Sequence, residues 1–180
     1  MKYIITESQY KVLSEENILQ IPDMELFDNN WDLLQEFLEK RGNPIYSIGG
    51  YLNLAGTPIK SLGNLYSVGS GLNLRNTPIE SLGNLKSVGG NLYLNDTSIK
   101  SLGNLSSVGG DLQLSESSIK SLGNLSYVGG SLNLRHTPIE SLGNLKSVMG
   151  YLSLNKTPLS IIYSKQEISD MVIVGGHIFM

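Results

Sequence analysis

Two histidines and no cysteine occur in the 180-residue chain, so the search for chemistry is short. His136 is preceded at a spacing of twenty residues by Glu116 and followed at the same spacing by Lys156. With Ser115 or Ser117 these are the residue types of a serine–histidine–acid relay, in which the imidazole takes a hydroxyl proton and the carboxylate orients the ring. That chemistry also requires an oxyanion hole and a nucleophile held on a sharp turn, and no GxSxG or comparable motif accompanies these residues. GxxxxGK[ST] and HExxH are absent too, and Gly109-Gly110-Asp111 supplies half of a calcium-repeat signature, once. Without cysteine there is no thiolate zinc site, disulfide scaffold or cysteine nucleophile. The sequence reads as a non-enzyme with no metal and no cofactor, in which Glu116, His136 and Lys156 belong to a charged rim.

Thirteen basic residues stand against sixteen acidic ones, a net charge of -3. A surface built to neutralise phosphates or an anionic bilayer needs a basic excess, so neither nucleic acid nor membrane is an expected partner. The apolar run at residues 1–5 is too short for a secretory signal, and no stretch approaches the roughly 18 apolar residues of a membrane helix. A cytoplasmic, monomeric protein is the expectation.

The elements that position these side chains come from an internal repeat. From Ser61 the text SLGNLYSVGSGLNLRNTPIE recurs, nearly copied, from Ser81, Ser101, Ser121 and Ser141. Residues 41–60 form a degenerate unit that keeps Ile45, Ile48, Gly49, Gly50, Leu52, Leu54 and the Thr57-Pro58-Ile59 close. In residues 161–180, Ile162, Ile168, Val172, Val174 and Phe179 fall in the apolar columns when the twenty-residue spacing is kept, which predicts a divergent seventh rung acting as a C-terminal cap, with His177 in the Thr column. In each unit Leu-x-Leu is a period-2 stretch that sends two side chains to one side. The Gly-Gly before it permits a bend, and the Pro after it gives no N–H to a ladder. One such strand cannot bury its own apolar face, so the units must stack. The expected fold is a right-handed repeat solenoid with a parallel sheet of about seven short strands, centred near residues 52, 72, 92, 112, 132, 152 and 172.

Two polar columns accompany the leucines: Asn64 with its equivalents, and Thr57 with its equivalents through Thr157. Both are read as side chains that satisfy backbone groups at bends. The competing reading is a passive, ice- or surface-binding solenoid with a Thr/Asn ladder turned outward. The column Lys60, Glu80, Lys100, Lys120, Glu140 mostly alternates in sign and predicts weak ion pairs between rungs. Residues 1–40 lack the repeat and read as a helical N-terminal cap: Thr6 and Gln9 have capping-box spacing, and a second helix after Asn29-Asn30 carries Trp31, Leu34, Phe37 and Leu38 on one stripe.

The Leu92-x-Leu94-x-x-Thr97-x-Ile99 pattern resembles the leucine-rich repeat family, with Thr where that family usually has Asn, and the unit is similar to the receptor L domain and to short bacterial and bacteriophage repeats. The resemblance covers residues 41–180 and implies a solenoid whose strand face binds a protein. The repeats are otherwise near copies, so function is expected at their variable outward positions. Arg75, Tyr93, Asp111, Gln113, Arg135, His136 and Tyr151 are the candidate partner-binding residues, because Tyr and Arg anchor interfaces while Asn, Ser and Gln supply adaptable hydrogen bonds. The bland alternative is that any exposed strand must be polar to stay soluble.

Overall fold

The unit 81–100 shows how these residues make one rung. Ser81 Oγ accepts from the Gly83 N–H at 3.0 Å, and Gly83 turns the chain with a φ of 58°, a value that costs glycine little. The turn aims Leu82 and Leu85 inward. A two-residue strand, Ser87–Val88, follows and buries Val88. The chain bends at Gly89 and Gly90, and a second strand, Leu92–Tyr93, leads to Leu94, so that Leu92 and Leu94 are both fully buried. Asp96 then adopts a left-handed conformation (φ 55°). The Thr97 hydroxyl closes the turn by donating to the Leu94 carbonyl at 2.8 Å, and Ile99 completes the core.

Stacked rungs build two parallel sheets in this computed structural model, which describes residues 18–180. Among those residues the first sheet has eight strands: β1 Leu19–Ile21, β2 Tyr46–Ile48, β4 Leu65–Val68, β6 Ser87–Val88, β8 Ser107–Val108, β10 Tyr127–Val128, β12 Ser147–Val148 and β14 Ile173–Val174. The second has seven: β3 Leu52–Asn53, β5 Leu72–Asn73, β7 Leu92–Tyr93, β9 Leu112–Gln113, β11 Leu132–Asn133, β13 Leu152–Ser153 and β15 Ile178–Phe179. We call them the valine and leucine sheets. The leucine sheet is the one that the Leu-x-Leu pattern announces. Nothing in that pattern announces the valine sheet, because its two-residue strands β6, β8, β10 and β12 each bury a single valine and leave no alternation to read. Between them lies a continuous core, six apolar side chains per rung; in the central rung these are Leu102, Leu105, Val108, Leu112, Leu114 and Ile119, all fully buried.

Both ends depart from the expected register. In the first rung Tyr46, not Ile45, stands beside Leu65 and is buried, while Ile45 is 43% exposed. A register shift between Tyr46 and Ser47 lets the larger ring replace leucine in that row. Burial pushes the Tyr46 phenol up to about 12, and Gln35 Nε2 donates to its oxygen at 3.4 Å.

In the last rung the spacing lengthens from twenty residues to twenty-six: Val174 pairs with Val148, and Ile178 with Leu152. The extra length forms a short helix, Lys165–Met171, begun by a capping box in which Ser164 and Glu167 bond each other's backbone N–H. Val172 and Ile168 still fill the core, but the seventh leucine-sheet strand is Ile178–Phe179 rather than one centred on residue 172. Ile162, assigned to an inner leucine row, is 64% exposed, and Phe179, assigned to the inner row of Ile59, points outward beside Ser153.

At the N-terminal end a 3₁₀ turn, Met24–Phe27, and a helix, Trp31–Glu39, lie against the first rung. Asn30 caps the helix by accepting from the Asp32 N–H (2.9 Å) and the Leu33 N–H (3.3 Å). Leu34 and Leu38 are buried, and Phe37 meets Phe27 edge to face at 5.1 Å. Trp31 is half-buried against the core, as its place on the apolar stripe predicts. The earlier capping box at Thr6 and Gln9 lies outside the described residues.

Candidate functional site

The outer surface of the leucine sheet carries the variable residues, and hydrogen bonds across rungs fix many of them. Asn91 Oδ1 accepts from the Asp111 N–H (2.8 Å), Asp111 Oδ1 from the Ser131 N–H (2.7 Å), and Ser131 Oγ from the Tyr151 N–H (3.2 Å). This ladder occupies one oxygen of Asp111 with backbone, so that carboxylate holds the sheet as well as facing outward. Gln113 Oε1 accepts from Asn133 Nδ2 at 3.0 Å, and Asn133 Oδ1 accepts from the Arg135 N–H at 3.1 Å.

The candidates gather into clusters rather than one row. The Arg75 guanidinium sits 4.1 Å from the centroid of the Tyr93 ring while its Nε donates to Asn95 Oδ1, and Asn91 Nδ2 donates to the Tyr93 hydroxyl. Three rungs along, Arg135 Nη2 lies 3.4 Å from His136 Nε2, and His136 Nδ1 lies 3.8 Å from Glu116 Oε1. At the far end Tyr151 meets Phe179 edge to face at 5.8 Å, with His177 6.2 Å from Phe179. His177 therefore belongs to the outward column of Tyr151, not to the Thr column; its carbonyl accepts from the Leu152 N–H as Asn91 does from Leu72. The Arg75 and Arg135 clusters are three rungs apart, about 14 Å at ordinary strand spacing.

The serines that sequence places near His136 are engaged elsewhere. Ser117 Oγ donates to the Leu114 carbonyl at 2.6 Å and is buried, and Ser115 Oγ accepts from Asn95 Nδ2 at 2.6 Å. Among the described residues no three of the metal-binding side-chain types gather, and no helix is long and apolar enough to cross a membrane.

His136 has a further property that the sequence conceals. Its column, Gly56, Asn76, Asp96, Glu116, His136 and Lys156, is the left-handed position of each rung, with φ between 55° and 69°. Glycine tolerates this region freely and Asn and Asp tolerate it in part, whereas other residues lose roughly 1–2 kcal/mol there. The first three rungs hold tolerant residues; of the next three, Glu116 and Lys156 occupy the position at a cost, while His136 is of a type found there more often.

No family model, curated protein or solved structure matches the chain. Its repeat character rests on its own register. Each strand pairs with its counterpart one rung away, and in the central rungs that partner lies twenty residues along the chain.

The remaining polar columns have structural work. Each Thr-column hydroxyl from Thr57 to Thr157 donates to the carbonyl three residues before it, and those from Thr77 onward are buried. They form no outward ladder. Asn84 Nδ2 donates to Asn64 Oδ1, and Asn64 Nδ2 to the Asn43 carbonyl. Lys60 pairs with Glu80 at 3.7 Å and Lys120 with Glu140 at 3.9 Å, exposed contacts of the kind that contribute little.

Proposed function

We propose that this chain is a non-catalytic binding module of the leucine-rich-repeat type, and that the outer face of its leucine sheet engages a protein partner. The carrying observation is where the rungs differ. On the valine sheet the corresponding strand residue of the repeat rungs is Ser47, Ser67, Ser87, Ser107, Tyr127 and Ser147, and the end strands place Gln20 and Ile173 in the same column. On the leucine sheet the matching column runs Asn53, Asn73, Tyr93, Gln113, Asn133, Ser153, and its neighbours bring Arg75, Arg135, Asp111 and Tyr151. The valine-sheet face varies too, at Tyr66, Lys86, Ser106, Ser126 and Lys146 beside the strand, but the strand column itself varies more on the leucine sheet, and Arg and two Tyr gather there.

The pre-ordered side chains favour binding for a second reason. Arg75, Tyr93 and Asn91 already hold one another, as Gln113 and Asn133 do in a second pair, so less side-chain entropy is lost when a partner docks. Tyr93 and Arg135 would be its anchors, and truncating an anchor costs 2 kcal/mol or more in binding, roughly thirtyfold in affinity. The test is a pull-down from the source cell with the double variant Tyr93→Ala/Arg135→Ala against Lys60→Ala/Lys120→Ala. Loss of capture by the first alone supports the reading. Equal capture by both removes it.

A further inference from the structure

We propose that the partner bound by the leucine-sheet face, a reading on which this one rests, presents an extended segment with Asp or Glu at positions i and i+4, one carboxylate on Arg75 and the other on Arg135. Both arginines are exposed, and among the described residues neither guanidinium has a carboxylate within ion-pair distance. Arg75 lies over the Tyr93 ring, 4.1 Å from its centroid, and its Nε donates to Asn95 Oδ1 at 3.3 Å; Arg135 Nη2 lies 3.4 Å from His136 Nε2. Each guanidinium spends one nitrogen on these contacts. The N–H groups that remain can meet a carboxylate with two parallel bonds, the geometry that makes arginine a reader of acids.

The spacing selects the pattern. Arg75, Asn95, Ser115 and Arg135 form one column, so the arginines stand three rungs apart. Tyr93 and Asn95 draw the Arg75 guanidinium one rung toward Arg135. The two charges are therefore two to three rungs apart, about 10–14 Å at ordinary strand spacing. Along an extended chain the side chains on one side recur every second residue, about 7 Å for i and i+2 and about 13 Å for i and i+4. Only i+4 spans the gap. Asn95 and Ser115, half-buried and bonded to each other through Asn95 Nδ2 and Ser115 Oγ at 2.6 Å, are short side chains between two long ones, and leave room for a chain to lie along the column.

The occupant is a pair of isolated acids rather than a polyanion. Asp96 and Glu116 are exposed, follow Asn95 and Ser115 directly in the chain, and set negative charge beside the interval between the arginines. A nucleic-acid strand carries a charge about every 3.4 Å, so its inner phosphates would meet those carboxylates. The net charge of -3 opposes such a ligand as well. A peptide with acids at i and i+4 and a neutral or basic residue at i+2 avoids the repulsion, which otherwise lowers affinity wherever like charges are set against each other in an interface.

Selection of a displayed library of short random peptides on the immobilised full chain tests this directly. The expected winners carry Asp or Glu at i and i+4 and no acid at i+2. Synthetic copies should lose about tenfold or more in affinity to Arg75→Ala and to Arg135→Ala, and nothing to Lys60→Ala/Lys120→Ala, whose cations lie on the rim. Both arginines are exposed, so the variants should fold, as circular dichroism will check. Selection on Arg135→Glu should replace one acid of the pair by Lys or Arg, a change that mere damage to the face would not produce. Winners that depend on Tyr93, as Tyr93→Ala shows, yet carry no such acid pair would overturn the proposal and leave the leucine-sheet reading standing. Acids spaced i and i+2 or i and i+7, or unbroken acidic runs, would overturn it in the same way. So would winners indifferent to both arginines, or no winners at all; the pull-down with Tyr93→Ala/Arg135→Ala judges the face itself.

Discussion

Lys156 sits in the left-handed region at φ 57° with its side chain in water and no ion pair, which makes it a clean place to measure the backbone cost of the turn column. Relieving that conformation by Lys156→Gly returns roughly 1–2 kcal/mol. The added freedom of glycine in the unfolded chain takes back about 0.4–1 kcal/mol. The net is a stabilisation of about 0.5–1 kcal/mol, or an increase in Tm of about 1–4 °C for a chain of this size. Lys120→Gly is the control: Lys120 is exposed and its φ is not positive, so the unfolded-state loss applies together with loss of the weak exposed pair to Glu140, and Tm should fall. The mirror change, Gly56→Lys at φ 69°, should lower Tm by about as much as Lys156→Gly raises it. Scanning calorimetry on the three variants reads all of this. If Lys156→Gly and Lys120→Gly both lower Tm by similar amounts, the turn column is not strained and the reasoning fails.

Three further outcomes follow from particular contacts. The Tyr46 phenol is held at about 12 by burial, above its unfolded value, so its contribution is complete below about pH 10 and lost as pH rises toward 12; urea titrations of Tyr46→Phe should show a shallower alkaline loss than wild type, by about 2–3 kcal/mol at full ionisation. Thr97→Val keeps the shape but removes the hydroxyl that donates to the Leu94 carbonyl inside the turn, and should cost about 1 kcal/mol in the same titrations, whereas Ser118→Val on the exposed neighbour should cost little. Glu167 is held below the usual carboxylate range by the Ser164 backbone N–H and hydroxyl, so amide protection factors in the helix Lys165–Met171, taken relative to the intrinsic rate at each pH, should fall as pH falls through the Glu167 titration, and Glu167→Gln should abolish that dependence.

The leucine sheet is legible because Leu-x-Leu writes its inward face twice per rung. The Thr column is equally legible, since a hydroxyl three residues after the strand leucine has the carbonyl of Leu94 within reach. The terminal rung misleads because Val172 and Val174 imitate Leu-x-Leu at the twenty-residue spacing, although the cue for the true register was present: Gly175-Gly176 repeats the bend that precedes every leucine strand. Tyr46 misleads for a related reason, since one residue of slip exchanges the buried and exposed neighbours of a strand. In the candidate site, Arg75, Tyr93 and Arg135 could be placed on the face from their spacing, but their pairing with each other and with Asn91, Asn95 and His136 depends on side-chain reach across rungs. The turn column hides most completely: Gly56, Asn76, Asp96, Glu116, His136, Lys156 looks like a variable charged rim until the backbone shows that every member is left-handed.

The claim that function resides on the leucine-sheet face is tested most directly by position-specific photo-crosslinking in the source cell. A photoreactive residue at Gln113 or Asn133 places the probe on that face, and one at Ser107 or Ser147 places it on the valine sheet of neighbouring rungs. The account predicts one protein adduct of constant mass from both leucine-sheet positions and none from the valine-sheet positions; adducts from the valine sheet alone, or equally from both faces, would contradict it.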